Sequence, residues 1–141
     1  MSYSNSAAFP GRGTKLEAQY GSPLAFTEIA EIKTINFTGS KYDLADVTNM
    51  QSGNFREWLP TLADSGECAF TANYIPGDPT QTELIALFNA ATLTTWNVVL
   101  PNGLGIISFK GYVVGLDRDI PVDKEASMSG KIKITGVVTL P

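Results

Sequence analysis

The sequence predicts a mainly β protein, an antiparallel β-sandwich or partial barrel with one flanking α-helix and a long inter-strand loop. Three observations carry this. Ser127–Leu140 alternates apolar and polar residues almost strictly, which marks an antiparallel strand with one wet face. A single segment, Asp78–Thr92, combines helical spacing with helix-start chemistry. Between two strand-like segments lies Tyr42–Glu67, too long for a turn and too apolar for a solvated loop.

The elements follow in order. Met1–Gly13 reads as a flexible N-terminal arm, containing Ser, Asn and Gly and closed by Pro10-Gly11 and Gly13. Residues 14–141 make a single domain, with 42–66 as a long assembly loop inside it. Thr14–Tyr20 is a strand, followed by a Gly21-Ser22-Pro23 turn. Phe26–Phe37 is rich in β-branched residues, but its apolar phase slips midway, which predicts a bulge or twist within one strand. In the long loop, Asn54 and Glu57 have capping-box spacing, and Pro60 would end a helical turn that groups Phe55, Trp58 and Leu59 on one side. Glu67–Ile75 alternates cleanly, with Cys68, Phe70, Ala72 and Tyr74 on one face.

Asp78 is placed to N-cap the helix, with Pro79 at its first position and Gln81 completing a capping box. Leu84, Ile85, Leu87, Phe88 and Ala91 form its core-facing stripe. Leu93–Leu100 is a strand with Trp96, Val98 and Leu100 on one face, and Trp96 is expected in the core. Asn102-Gly103 predicts a tight hairpin turn to a return strand over Leu104–Asp117. A charged loop spans Asp119–Ala126. In the last strand Met128, Ile132, Ile134, Val138 and Leu140 face inward, with Gly130 and Gly136 at inward positions that allow close approach.

Composition narrows the function. A chain of 141 residues with 43% hydrophobic and 17% charged residues is a globular domain able to bury a core. No apolar run approaches the ~20 residues needed to span a bilayer, so no membrane anchor is expected. Met1–Gly13 lacks a basic start and an apolar stretch, so no secretory signal is expected and synthesis in a cytoplasm is. The net charge of −4, without a basic patch, disfavours specific nucleic-acid binding. The single Cys68 lies in a strand pattern and reads as a small core residue.

Catalytic chemistry has little to stand on. The chain has no His, which excludes Ser-His-Asp and Cys-His nucleophiles and His-based metal sites. The carboxylate pairs Asp43/Asp46, Asp64/Glu67 and Asp117/Asp119 read as solvated or interfacial charges. Asp117, Asp119 and Asp123 lack EF-hand spacing, and Gly130-Lys131 lacks the rest of a P-loop. The expectation is no enzyme, no cofactor and no metal. What needs an explanation is the apolar loop, since exposed apolar patches mark surfaces that something else covers.

The loop also carries a resemblance. Asp46-Val47-Thr48, Ser52, Phe55-Arg56-Glu57-Trp58-Leu59-Pro60, Leu62, Asp64 and Gly66-Glu67, then a strand ending Asn73-Tyr74 with Pro76, resemble in order the tail tube (major tail) proteins of long-tailed bacteriophages. Thr61 departs from that pattern, where the family often has Gly. The resemblance implies a structural virion protein, made in the host cytoplasm and found in the tail. It implies hexameric rings stacked into a hollow tube that conducts DNA into the host, with the loop pattern of a non-contractile tail. It further implies tape measure, tail terminator and tail-tip proteins as partners, transient non-specific passage of DNA, and no immunoglobulin-like domain beyond Pro141. The subunit-interface residues expected are Tyr42, Leu44, Val47, Met50, Phe55, Arg56, Trp58, Leu59 and Leu62. Glu67, Asp117 and Asp119 are the candidates for the lumen. The alternative is a monomeric β-sandwich binding module for carbohydrate or protein, with Trp58, Trp96 or the tyrosines as stacking faces.

Overall fold

The computed structural model describes residues 8–141, so the expected arm over residues 1–13 lies largely outside the described residues. The strands are β1 (Lys15–Tyr20), β2 (Ala25–Glu28), β3 (Ile32–Thr38), β4 (Lys41–Asp46), β5 (Trp58–Asp64), β6 (Glu67–Asn73), β7 (Thr94–Val99), β8 (Ile106–Asp119) and β9 (Ser127–Thr139). One helix, α1 (Pro79–Ala90), lies between β6 and β7. Seven strands form one antiparallel sheet in the order β2-β1-β7-β8-β9-β6-β3, and β4 pairs with β5 in a separate hairpin.

The segment expected as one strand over Phe26–Phe37 is two. β2 pairs with β1 at one edge of the sheet, and β3 pairs with β6 at the other. Residues 29–31 join them, and so short a link reaches only ~10 Å. The two edges must therefore come together, which coils the sheet into a partial barrel. The link bonds to both sides: Ile29 N–H donates to the Leu16 carbonyl at 2.8 Å, and the Glu31 carbonyl accepts from Asn73 N–H at 3.0 Å. Glu31 turns the chain at φ 62. The slipped apolar phase was thus the trace of a crossover.

Alternation in the strands fills the barrel. Leu16, Ala18, Cys68, Phe70, Trp96, Val98, Phe109, Met128 and Ile132 are buried together, joined by Leu84 and Leu87 of α1. Burial pushes the Cys68 thiol up to about 12, as befits an inert core residue. Gly130 allows the close approach expected of it: a Cβ there would lie 2.6 Å from the Phe70 ring. Gly136 does not. It is exposed at φ 83, where β9 kinks; beyond it Val138 still packs on the core as expected, while Leu140 is exposed.

The helix begins as expected, with the Asp78 carboxylate accepting from the N–H groups of Thr80 and Gln81 at 3.1 Å each. Gln81 does not complete a capping box. Its amide is buried and donates to the carbonyls of Asn73 (2.8 Å) and Ala30 (3.2 Å), while its oxygen accepts from Ile75 N–H at 3.0 Å. It pins α1 to the crossover and to the end of β6. Asn102 and Gly103 take the left-handed φ values of 58 and 71 that Asn-Gly predicts, within a short 3-10 turn over Pro101–Gly103.

Candidate functional site: the projecting hairpin

The long loop is a β-hairpin. β4 and β5 contact chiefly each other, so the barrel leaves the hairpin uncovered. No helical turn forms at Asn54–Glu57, and Trp58 and Leu59, being neighbours in a strand, face opposite ways. Pro60 is tolerated because β5 has a partner on one side only. The register shifts between Tyr42 and Leu44, and there the Thr61 hydroxyl donates to the Asp43 carbonyl at 2.9 Å.

All the large apolar side chains expected at an interface are on this hairpin, and all are exposed: Tyr42, Leu44, Val47, Met50, Phe55, Trp58, Leu59 and Leu62. Met50 is 102% exposed, Phe55 81% and Leu62 75%, so these side chains do not pack on their own domain, while Trp58 is half-exposed at 50%. Pairing then divides the strand residues by face. Leu44 lies beside Pro60, Asp46 beside Trp58 and, past an extra residue that β5 carries between Pro60 and Ala63, Tyr42 beside Ala63. On the other face Leu59 lies beside Ala45, with Asp43 and Leu62 further along. Both faces are therefore apolar, unlike a surface hairpin, which keeps one face wet.

The tip is ordered by its polar residues. Asp46 accepts from Thr48 N–H at 2.9 Å, an Asx turn that holds the Asp46 carboxyl below its usual range through bonds with the Thr48 hydroxyl and amide. The Thr48 hydroxyl accepts from Glu57 N–H at 2.8 Å, and the Glu57 carbonyl accepts from Val47 N–H at 2.9 Å. Ser52 donates to the Glu57 carboxylate at 2.7 Å and accepts from Asn49 N–H at 3.0 Å. Arg56, expected at the interface, lies 3.6 Å from Asp46 with its side chain mostly exposed. Asp46, Thr48, Ser52 and Glu57 thus clasp the tip, a role that their order in the sequence did not disclose. The Asp-x-Thr spacing of the Asx turn was the readable signal.

A second surface lies on the barrel. In β3, β6, β9 and β8 the side chains opposite the core include Thr34, Asn36, Glu67, Thr71, Ser129, Lys131, Lys133, Thr135, Lys110, Tyr112, Asp117 and Asp119 by register. Glu67, Asp117 and Asp119 therefore share one polar face. Beside it, β7 pairs only with Ile106–Gly111 of β8, so no strand pairs with that side of residues 112–119. Among the described residues no group of His, Cys, Asp and Glu is placed to hold a metal, and no helix is long and apolar enough to cross a membrane.

A family model described as lambda phage tail tube protein, TTP, matches residues 9–140. The chain belongs to that family. It is a structural component of the virion tail and not an enzyme. Solved tail structures share its fold. A chain from the tail of an empty gene transfer agent particle, refined helically with C6 symmetry, superposes with a TM-score of 0.76 at 16% identity, covering 95% of this chain and 99% of that one. The SPP1 tail tube protein gives 0.65 at 15% identity, over 90% of this chain and 77% of that one. A chain of the anti-feeding prophage baseplate gives 0.69 at 8% identity, over 96% and 95%. No curated protein matches the chain significantly. For a tail tube subunit, the two apolar faces of the hairpin are the feature to explain. The carbohydrate reading loses a stacking face, because Trp96 is fully buried and its indole N–H donates to the Gly111 carbonyl at 3.2 Å.

Proposed function

We propose that this subunit forms hexameric rings that stack into a hollow tube, with the β4–β5 hairpin wedged between neighbouring copies. The observation that carries this is the hairpin with apolar side chains on both faces that the described residues leave exposed. One covering surface would leave half of them wet; two neighbours cover both. Tyr42, Leu44, Val47, Met50, Phe55, Trp58, Leu59 and Leu62 are the contact residues, with Arg56 at the rim.

Ring closure uses the sheet. The run β8-β9-β6-β3 is antiparallel with an even number of strands, so its two outer edges run in opposite directions. The unpaired side of residues 112–119 in one copy can therefore continue onto β3 of the next as an antiparallel pair, which removes the exposed edges. The sixfold count follows the C6 symmetry of the gene transfer agent tail. A head-to-tail contact along the axis then builds a filament.

The polar face lines the lumen in this arrangement. Its ionisable groups, Glu67, Asp117 and Asp119 against Lys110, Lys131 and Lys133, balance in each copy among short Ser, Thr and Asn side chains. Such a wall holds water and offers DNA no cationic track. The tube conducts DNA into the host and has tape measure, terminator and tip proteins as partners.

Negative-stain microscopy of the purified protein tests the assembly. Tubes are expected, and Trp58→Ala should abolish them while the thermal melt stays where it was. Compact monomers under every assembly condition would overturn the proposal.

A further inference from the structure

The hairpin leaves the barrel through two short linkers, Gly39-Ser40 after β3 and Ser65-Gly66 before β6. Both glycines take left-handed backbone, at φ 84 and 86. They cross in close contact: a Cβ on Gly66 would lie 2.0 Å from the Thr38 carbonyl oxygen. Neither glycine brings a side chain to this crossing, so the angle of the hairpin depends on the bonds that bridge it to the barrel.

Those bridges go to β9. Lys133 Nζ donates to both oxygens of Asp64, at 3.0 and 3.2 Å, and Asp64 also accepts from Gly66 N–H at 2.8 Å. The Ser65 hydroxyl donates to the Gly136 carbonyl at 2.5 Å, at the kink of β9. The Ser40 hydroxyl ties the linkers together by donating to the Ser65 carbonyl at 3.0 Å. Lys133 has Glu67 as its cross-strand neighbour, and Lys41 adds a weaker attraction to Asp64.

A half-exposed ion pair contributes little stability. It can still set an angle. From Asp64 to Trp58 the strand extends ~20 Å, so a pivot of ~10° at the base moves the far end by ~3–4 Å. That is about the separation of touching apolar atoms, and enough to unseat a contact. The clasped tip makes the hairpin a stiff lever that transmits such a pivot.

We propose that Asp64, Ser65 and Lys133 form a latch that fixes the angle of the hairpin before assembly, as positioning residues for the subunit contact. This rests on the hairpin being that contact. The latch presents both apolar faces in one pose, so the ordering entropy is lost in the free subunit and not at the interface.

The test combines Lys133→Gln, Ser65→Ala and Lys133→Arg with spin labels at Asn54→Cys and Thr82→Cys, one on the hairpin and one on the exposed side of α1. The native Cys68 is buried and stays unlabelled. The unaltered latch should give one narrow distance distribution by pulsed electron resonance. Lys133→Gln and Ser65→Ala should broaden it and raise the critical concentration for tubes about tenfold, with the melt unchanged. Lys133→Arg, which keeps the cation, should restore both. Narrow distances and unchanged assembly in Lys133→Gln and Ser65→Ala would overturn the latch and leave the interface standing. Tubes that form equally well with Trp58→Ala would overturn the interface, and the latch with it.

Discussion

The two tryptophans divide this protein. Trp96 is 0% exposed, its ring among core side chains and its N–H satisfied by Gly111. Trp58 sits in an equally regular strand and is half in water. Both strands are built by the same backbone rules. The difference lies in what stands opposite: a coiled sheet closes over Trp96, while the hairpin has only its own two strands. A two-stranded hairpin is marginal by itself in water. This one is held by polar clasps at its tip and base, which leaves its apolar side chains free for a partner. Stability and assembly are thus assigned to different regions, and the regions can be tested apart.

The largest effect belongs to the barrel. Trp96→Ala should lower unfolding free energy by about 3–5 kcal/mol in urea titration, through lost burial and the cavity left behind. Gln81→Ala should cost about 2–3 kcal/mol, because it strands the Ile75 N–H and two carbonyls in a partly buried site. Comparable losses from hairpin substitutions would erase the division. Phe55→Ser with Trp58→Ala should instead change the unfolding free energy by less than about 1 kcal/mol and prevent tube formation in a pelleting assay.

Smaller effects sharpen the picture within the hairpin. Ser52→Ala removes the bond to the Glu57 carboxylate and should cost about 1 kcal/mol locally, seen as faster amide exchange over residues 48–57 with the barrel unchanged. Acid should act at both clasps. Asp64 is held below the ordinary 3.8 by the Gly66 N–H first and then by Lys133, and Asp46 is lowered by Thr48. A depressed carboxyl contributes order above its unfolded value and loses it as pH falls through the lowered one. Amide protection at the hairpin, taken relative to the intrinsic exchange rate at each pH, should therefore stay constant down to the usual carboxylate range and fall below it. A fall in protection near neutral pH would contradict this assignment.

Much of the barrel was legible in the sequence because alternation and helix capping are local signals. Cys68, Phe70, Trp96 and Ile132 follow period two, and Asp78-Pro79 announces α1. The crossover at residues 29–31 was not legible, because a phase slip looks the same whether a strand bulges or changes edge. Gln81 misled because capping-box spacing also suits a residue that turns inward to bridge. At the hairpin, the apolar content was plain, and the two faces were not: the extra residue that β5 carries between Pro60 and Ala63 moves Leu62 away from the face of Trp58, and a shift of that kind is set by pairing. The base bonds from β5 and its linker to β9 span long sequence separations, which no local pattern encodes.

Hydroxyl-radical footprinting of free subunits and assembled tubes tests the central claim most directly, since Met, Trp, Tyr, Phe and Leu side chains are the reactive ones. Oxidation of Tyr42, Met50, Phe55, Trp58 and Leu62 should fall sharply on assembly, on both faces of the hairpin, while Trp96 stays unreactive in both states. Equal oxidation of the hairpin in subunits and tubes would contradict the account.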